Sequence, residues 1–251
     1  MNLLLLDALA NHDVTIEELA TEDRQAASAH YVLNDPRRLL HIQQHLKLSA
    51  GDRIKVGQKN GLKGSALVES ISSQQLVLGD FQLDQPPPPK LPLILIVAMP
   101  RPKVLRRLVM DAVTLGVEQL ILLHSYRVEK SYWQTPFLQH IDDYITLGLE
   151  QAGDTVWPSV QYFKRFRPFV EDTLPALMAE RQALVAHPYA AQPLPFSLNQ
   201  PTVLLIGPEG GFIPFEIDLL QQNGVQAGSL GGRILRTETA VSSIIGRLFT
   251  L

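Results

Sequence analysis

The chain has 251 residues, of which 45% are hydrophobic and 19% charged, with a formal net charge of -3 and no cysteine. That composition supports a sizeable core and argues against wholesale disorder. Missing cysteines exclude disulfides, thiolate nucleophiles and thiolate metal sites. A mildly acidic chain is not coated with basic residues for nucleic acid, so any such surface must come from the distribution of charge.

Leu3-Leu4-Leu5-Leu6 is stopped by Asp7 and has no basic residue before it. It is too short and wrongly flanked for a signal peptide and reads as a buried first strand. No apolar run approaches the ~18–20 residues of a membrane helix. Pro36 to Leu48 reads as one helix, with Leu39, Leu40, Ile42 and Leu46 on its buried side. Asp52 to Gly57 alternates polar and apolar, Asn60-Gly61 is a hairpin turn signal, and strands follow at Ser65 to Ile71 and Gln75 to Gly79. Short strands at close spacing suggest a small β-barrel.

Gln85-Pro86-Pro87-Pro88-Pro89-Lys90 marks the clearest boundary, because a proline run extends neither a helix nor a sheet ladder. It divides a module over residues 1-85 from one over residues 92-251, with residues 86-91 as linker. The second module alternates strand and helix. Its strands are Leu93 to Met99, Val117 to Leu123, Ala183 to Ala186, Thr202 to Ile206 and Val225 to Leu230. Helices lie at Pro102 to Leu115, Phe137 to Gln151, Phe169 to Arg181, Phe215 to Asn223 and Glu238 to Phe249. This order implies an α/β fold with a parallel sheet.

Ligands of such sheets bind beyond the carboxyl ends of the strands. Three strand ends carry unusual residues: Ala186-His187-Pro188, Ile206-Gly207-Pro208-Glu209-Gly210-Gly211, and Leu230-Gly231-Gly232. The second lacks the lysine of a phosphate loop and the spacing of a dinucleotide fingerprint. Its glycines let bare backbone approach a flat ligand, although they equally make a plain strand-to-helix turn. After the third, Arg233-Ile234-Leu235-Arg236 precedes Thr237, which reads as a helix cap, and Glu238 suits the positive start of the helix. Arg236, set against the helix dipole, requires an anionic partner.

Gly-Pro-Glu-Gly-Gly followed some twenty residues later by Leu-Gly-Gly-Arg-Ile-Leu-Arg-Thr-Glu-Thr-Ala resembles the RsmE family, which methylates N3 of a uridine in bacterial 16S ribosomal RNA. His41-Ile42, Leu46 to Asp52, Leu115-Gly116-Val117, Glu150-Gln151 with Pro158, and His187-Pro188 extend the resemblance over nearly the whole chain. It implies a PUA-like β-barrel followed by a SPOUT-type parallel sheet with a C-terminal trefoil knot. It also implies S-adenosylmethionine as cofactor, ribosomal RNA or the assembled small subunit as partner, a homodimer, and a cytoplasmic setting without metal or membrane. The cofactor would contact Ala186, His187 and Pro188, then Ile206, Gly207, Pro208, Glu209, Gly210 and Gly211, then Leu230, Gly231, Ile234, Leu235 and Arg236. Arg236, with Arg101 as second candidate, would stabilise the uracil anion. Glu238 is a candidate proton acceptor, although a first-turn carboxylate equally serves its helix.

Lys90, Arg101, Lys103, Arg106 and Arg107 form the candidate RNA footprint, joined by Arg233 and Lys47; a solvated helix face is the plainer reading. Asp111 stands where the family has lysine, Thr114 where it has glutamate and Asp154 where it has arginine. The two aspartates remove positive charge from the RNA side, and all three departures spare the cofactor loops. Two other readings remain open: a SPOUT enzyme acting on a different RNA position, and a module that holds cofactor and RNA without catalysis. A nicotinamide enzyme would need a dinucleotide fingerprint that no strand here carries.

Overall fold

A computed structural model describes residues 2–7 and 30–250; residues 1 and 8–29 of the expected first module lie outside the described residues. The chain divides into two compact units, Met1–Pro88 with Leu149–Val156, and Pro89–Gly148 with Trp157–Leu251.

In the first unit, β1 (Leu4–Leu6), β2 (Tyr31–Leu33), β3 (Arg53–Gln58), β4 (Lys63–Ile71) and β5 (Leu76–Gln85) form a mixed sheet in the order β1-β3-β4-β5-β2. All pairings are antiparallel except β1 with β3. Alternation puts Ile54 and Val56 of β3 inside with Leu4, Leu6, Val68, Leu76 and Leu78. Asn60 makes the expected hairpin turn with a φ of 59°. Gly57 is required by close approach, since a Cβ there would stand 2.4 Å from the Thr155 methyl.

The expected single helix over 36–48 is corrected. Helix α1 (Pro36–His41) starts with Pro36 in its first turn and the Asp35 carboxylate accepting from the Arg37 and Arg38 amides. It then widens into a π turn over Ile42–Leu46 that ends on Lys47, whose φ is 51°. Leu39 and Ile42 are buried as expected, but Leu40 is 53% exposed and Leu46 38%. The wider turn shifts the phase of later residues, which carries Leu46 off the buried side.

The second unit is built on six parallel strands: β6 (Leu91–Ala98), β7 (Val117–Leu123), β8 (Ser159–Phe163), β9 (Gln182–Ala186), β10 (Thr202–Ile206) and β11 (Gln226–Gly228), in the order β11-β9-β10-β6-β7-β8. Leu93 to Ala98 and all of β10 are buried, as befits strands covered on both faces. Helices α2 (Pro102–Thr114), α3 (Ile141–Ala152), α4 (Phe166–Pro168), α5 (Leu174–Met178), α6 (Pro214–Gln222) and α7 (Thr237–Leu248) connect or follow them. Sequence reading missed β8, a half-exposed edge strand without an apolar run. The expected helix at Phe169 to Arg181 is three short pieces, α4, a π turn over Phe169–Thr173, and α5. The register aligns Ile206 with Ala186 and Val97, and Ala186 with Gly228. The carboxyl ends of β9, β10 and β11 therefore lie level. No helix among the described residues is long and apolar enough to cross a membrane.

Within the first unit Glu150, 3% exposed, is bound on several sides. Its carboxylate accepts from the Leu5 amide at 3.1 Å and from Arg38 Nη2 at 2.5 Å, and its carbonyl accepts from the amides of Asn2 and Leu3. Burial raises the Glu150 pKa against the pull of Arg38. Because the folded value exceeds the unfolded one, the carboxyl favours the fold most when protonated, and that contribution is lost as pH rises through the raised pKa. Glu150→Gln is therefore expected to flatten the pH dependence of unfolding above pH 4.5, the ordinary glutamate value. Glu150→Ala is expected to cost about 3 kcal/mol, since it strands a partly buried guanidinium and a strand amide. Urea unfolding followed by circular dichroism across pH measures both.

Candidate functional site

The strand ends of the second unit carry a cavity of about 260 Å³ at the carboxyl ends of β9, β10 and β11. Three loops, Arg127 of the turn after β7, and one face of α7 line it. Ala186, His187 and Pro188 line it from β9. Ile206, Gly207, Pro208, Glu209, Gly210 and Gly211 line it from β10. Leu230, Gly231, Arg233, Ile234 and Leu235 line it after β11. Strands that end level and loops rich in glycine converge here because the sheet register leaves no other place for them.

The β10 loop folds back tightly. Gly211 donates to the Pro208 carbonyl at 2.8 Å. A Cβ on Gly207 would stand 3.0 Å from the Phe212 nitrogen, so this turn needs glycine for space. Gly211 and Gly231 take φ values of 71° and 122°, and a Cβ at either meets nothing within 4 Å. Their bare backbone faces open space. Glu209 leans away from the loop and accepts from the Arg101 amide at 3.0 Å, at the start of α2.

The β9 loop is anchored by the His187 amide on the Gly228 carbonyl at 2.9 Å. The His187 and Tyr189 rings meet edge-on at 5.6 Å. Burial lowers the His187 pKa below 6.5, so the imidazole is neutral at neutral pH. Further along, Pro193 bridges Ser229, and the segment after it is held by α7. Arg247 Nε donates to the carbonyls of Leu194 and Pro195 at 2.9 and 3.0 Å, and its guanidinium lies 3.4 Å from the Phe196 ring centroid.

The remaining sequence-picked residues fall elsewhere. Arg236 is the residue before α7; its side chain is exposed and does not line the cavity. Thr237 is corrected from a cap to the first helical residue: it is buried, lines the cavity, and Arg236 precedes it without a side-chain cap bond. Inside the first turn its hydroxyl no longer stands before the helix, where a cap would accept from the free amides. Glu238 is off the cavity wall and acts on Asp111 of α2. Burial raises the Asp111 pKa, Arg107 opposes this, and Glu238 adds to it. Arg101, Lys103, Arg106 and Arg107 are exposed, and the Arg106 guanidinium lies 5.1 Å from the Tyr144 ring centroid. Lys90 is partly buried before β6, and Lys47 belongs to the first unit.

Sequence reading missed Arg127, which lines the cavity from the end of β7 and donates from its guanidinium to the Gly210 carbonyl. It also missed Glu216. That buried carboxylate accepts from the Tyr126 amide at 2.8 Å and the Ile213 amide at 3.0 Å, joining the β7 turn to the start of α6. The available signal was positional: His124-Ser125-Tyr126-Arg127 is a fourth polar strand end at the same edge of the sheet.

A family model described as the RNA methyltransferase domain matches residues 87–248. The ribosomal RNA small subunit methyltransferase E of Treponema pallidum is 32% identical over 209 residues, covering 81% of this chain and 79% of that protein. Two solved structures share the fold. A ribosomal RNA small subunit methyltransferase E from Neisseria gonorrhoeae, bound to S-adenosyl methionine, aligns with a TM-score of 0.70 at 20% identity over 97% of this chain and 95% of its own. A methyltransferase from Legionella pneumophila, in complex with SAM, aligns with a TM-score of 0.71 at 21% identity over 98% and 96%. The chain belongs to the RNA methyltransferase domain family, among the small subunit methyltransferase E (RsmE) proteins.

Proposed function

We propose that this chain is an S-adenosylmethionine-dependent enzyme that methylates N3 of a uridine in 16S ribosomal RNA of the small subunit, and that it works in the cytoplasm as a homodimer. The observation that carries the reading is the cavity at the ends of β9, β10 and β11, lined by every residue of the expected cofactor loops except Arg236. The family and the name of the Treponema pallidum relative supply the ribosomal RNA. The finer architecture is part of the same proposal: a PUA-like barrel over the first module and a trefoil knot in the second. Bridging of Pro193 with Ser229, and the Arg247 clamp on Leu194 and Pro195, support passage of α7 through the segment between β9 and β10.

The lining suits the cofactor. Ile206, Leu230, Leu235 and Ile244 offer apolar walls for adenine, and the open backbone at Gly211 and Gly231 offers close approach. When bound, S-adenosylmethionine supplies a sulfonium-borne methyl, whose carbon–sulfur bond breaks as the carbon–nitrogen bond to the base forms. The protein's part is positioning and electrostatics. The N3 proton leaves to solvent or to a carboxylate such as Glu238, and Arg236, with Arg101 as second candidate, stabilises the resulting uracil anion. Lys103, Arg106, Arg107 and Arg233 hold the RNA backbone, with Lys90 and Lys47 as further contacts.

Arg236→Ala is expected to lower kcat by about 10²-fold, the scale of one lost donor to a developing anion; normal turnover with normal cofactor affinity overturns that role. Cofactor affinity should also depend on pH. His187 is neutral until pH falls through its lowered pKa, where its charge would oppose the sulfonium. Calorimetry should show flat affinity above pH 6.5, the ordinary histidine value, and weakening below it, with the weakening abolished in His187→Gln. The reaction is tested in cells. A deletion strain should lack one methylated uridine of 16S ribosomal RNA and regain it with the gene. Restoration of a mark at another position identifies a different RNA target, and an unchanged RNA identifies a binding module.

A further inference from the structure

We infer that the turn Ser125–Val128 at the end of β7 seats the target nucleotide, with the Tyr126 ring stacked on the base and the Arg127 guanidinium donating to the carbonyl oxygens beside the reacting nitrogen. The inference rests on methyl transfer at the adjoining cavity.

The turn is held rigidly on its inner side. The Tyr126 amide donates to Glu216, a carboxylate 2% exposed, and the Val128 amide closes onto the Ser125 carbonyl at 3.0 Å. Val128 and Ser125 are buried. The outer side is left bare: the Tyr126 side chain is 77% exposed, on a backbone that cannot drift. An exposed ring on a fixed backbone, one residue before the cavity-lining Arg127, offers a stacking platform, and every base has a face to offer it.

Arg127 places the second element. Its guanidinium donates to the Gly210 carbonyl, so its head lies on the glycine loop at the cavity wall. Its Cδ lies 2.9 Å from where a Cβ on Gly210 would stand, so glycine at 210 lets the arginine stem lie flat on the loop. Five N–H groups project from a guanidinium in a fixed fork. One contact to Gly210 orients the fork and leaves donors for a ligand. A base with carbonyls on both sides of a ring nitrogen matches such a fork, and the match strengthens when that nitrogen loses its proton.

The surface continues in the same sense along the sheet edge. His124, at the end of β7, donates its amide to Phe163 at the end of β8 at 2.7 Å. Lys164 and Arg165 follow there, both exposed. The Lys164 ammonium lies 5.7 Å from the Trp133 ring centroid, and Trp133 is fixed by its indole N–H on His124 Nδ1 at 3.0 Å. Lys130 lies close enough to His124 to help lower its pKa, behind the effect of burial. Acidic side chains interrupt the strip at Glu129, to which Ser131 donates at 3.4 Å, and at Asp142, which adds to the effect of burial in raising the Tyr162 pKa. Cations alternating with aromatic rings suit a single-stranded RNA segment leading to the flipped base.

The experiment compares wild type with Tyr126→Ala, Tyr126→Phe and Arg127→Gln, using purified protein, S-adenosylmethionine and 16S ribosomal RNA or small subunits. Tyr126→Ala is expected to raise the KM for RNA roughly 5- to 100-fold while cofactor affinity by calorimetry stays within about twofold, the range for one lost base–aromatic stack. Tyr126→Phe keeps the ring and should keep the wild-type KM. Arg127→Gln should lower kcat by about 10²-fold at saturating cofactor and RNA. Thermal unfolding at the wild-type midpoint shows that each variant is folded. If wild type methylates RNA and both Tyr126→Ala and Arg127→Gln match it, this assignment fails and the activity stands. If wild type neither binds the cofactor nor transfers methyl, the activity fails first and the nucleotide seat falls with it.

Discussion

One buried carboxylate decides the shape of the site. Glu216 takes hydrogen bonds from Tyr126 on the turn after β7 and from Ile213 at the start of α6. The first bond reaches across the sheet edge and the second caps its own helix. A carboxylate has lone pairs for both, and burial makes an unfilled one costly. The turn and the helix therefore move together. The glycine loop runs from β10 into α6, and Arg127 reaches it from the turn that Glu216 holds. The β7 turn is thus tied to the glycine loop at two points, by Glu216 beneath and by Arg127 at the surface.

The sheet supplies the rest. Strand order runs one way from β6 through β7 to β8 and the other way through β10 and β9 to β11. Connections must leave the carboxyl edge in opposite directions where the order reverses, and that divergence opens a crevice. The cavity lies on the β9–β11 side of this point. Loops there turn back sharply, and Gly207 and Gly231 meet two different needs: no space for a Cβ at the first, a positive φ at the second. Near as α2 starts to the cavity, with the Arg101 amide on Glu209, its cations do not line it. They sit on the exposed face of a helix that leaves the sheet edge after Arg101.

Legibility followed burial. Strands covered on both faces, such as β6 and β10, wrote themselves as continuous apolar runs, and their ends could be placed within a residue or two, as could those of β7 despite Glu118 and Gln119. The half-exposed β8 wrote no pattern, because alternation at an edge mixes with solvent-facing residues. The π turn at Ile42 was invisible, since it changes hydrogen-bond spacing without changing residue type. The glycine loops were readable because glycine is the only residue whose absence of a side chain is itself a signal. Arg127 was not, because one arginine in a loop says nothing until the fold sets it against the Gly210 carbonyl. The Arg247 contacts with Leu194 and Pro195 join residues some fifty positions apart and leave no periodic trace, so they appear only in three dimensions.

The acidic departures from the family pattern have structural partners that reduce their effect on charge. Asp154 is buried in the first unit, where its carboxylate accepts from the Val156 amide at 2.9 Å. A charge held inward by a backbone bond repels RNA less than one on the surface. Thr114 donates its hydroxyl to the Gly148 carbonyl, fastening α2 to α3. Asp111 sits one turn after Arg107 and within reach of Glu238, and burial raises its pKa. Its charge is thus set mostly against Arg107, which lowers the cationic value of α2. The strip from Arg127 to Arg165 has acidic neighbours of its own: Glu129 in the loop and Asp142 of α3, which acts on Tyr162 of β8. In a chain of net charge -3, attraction for a polyanion depends on where cations lack acidic neighbours. The edge formed by β7 and β8 thus adds Arg127, Lys130, Lys164 and Arg165, all exposed, to the cations of α2, offset by Glu129 and Asp142 as Asp111 offsets Arg107.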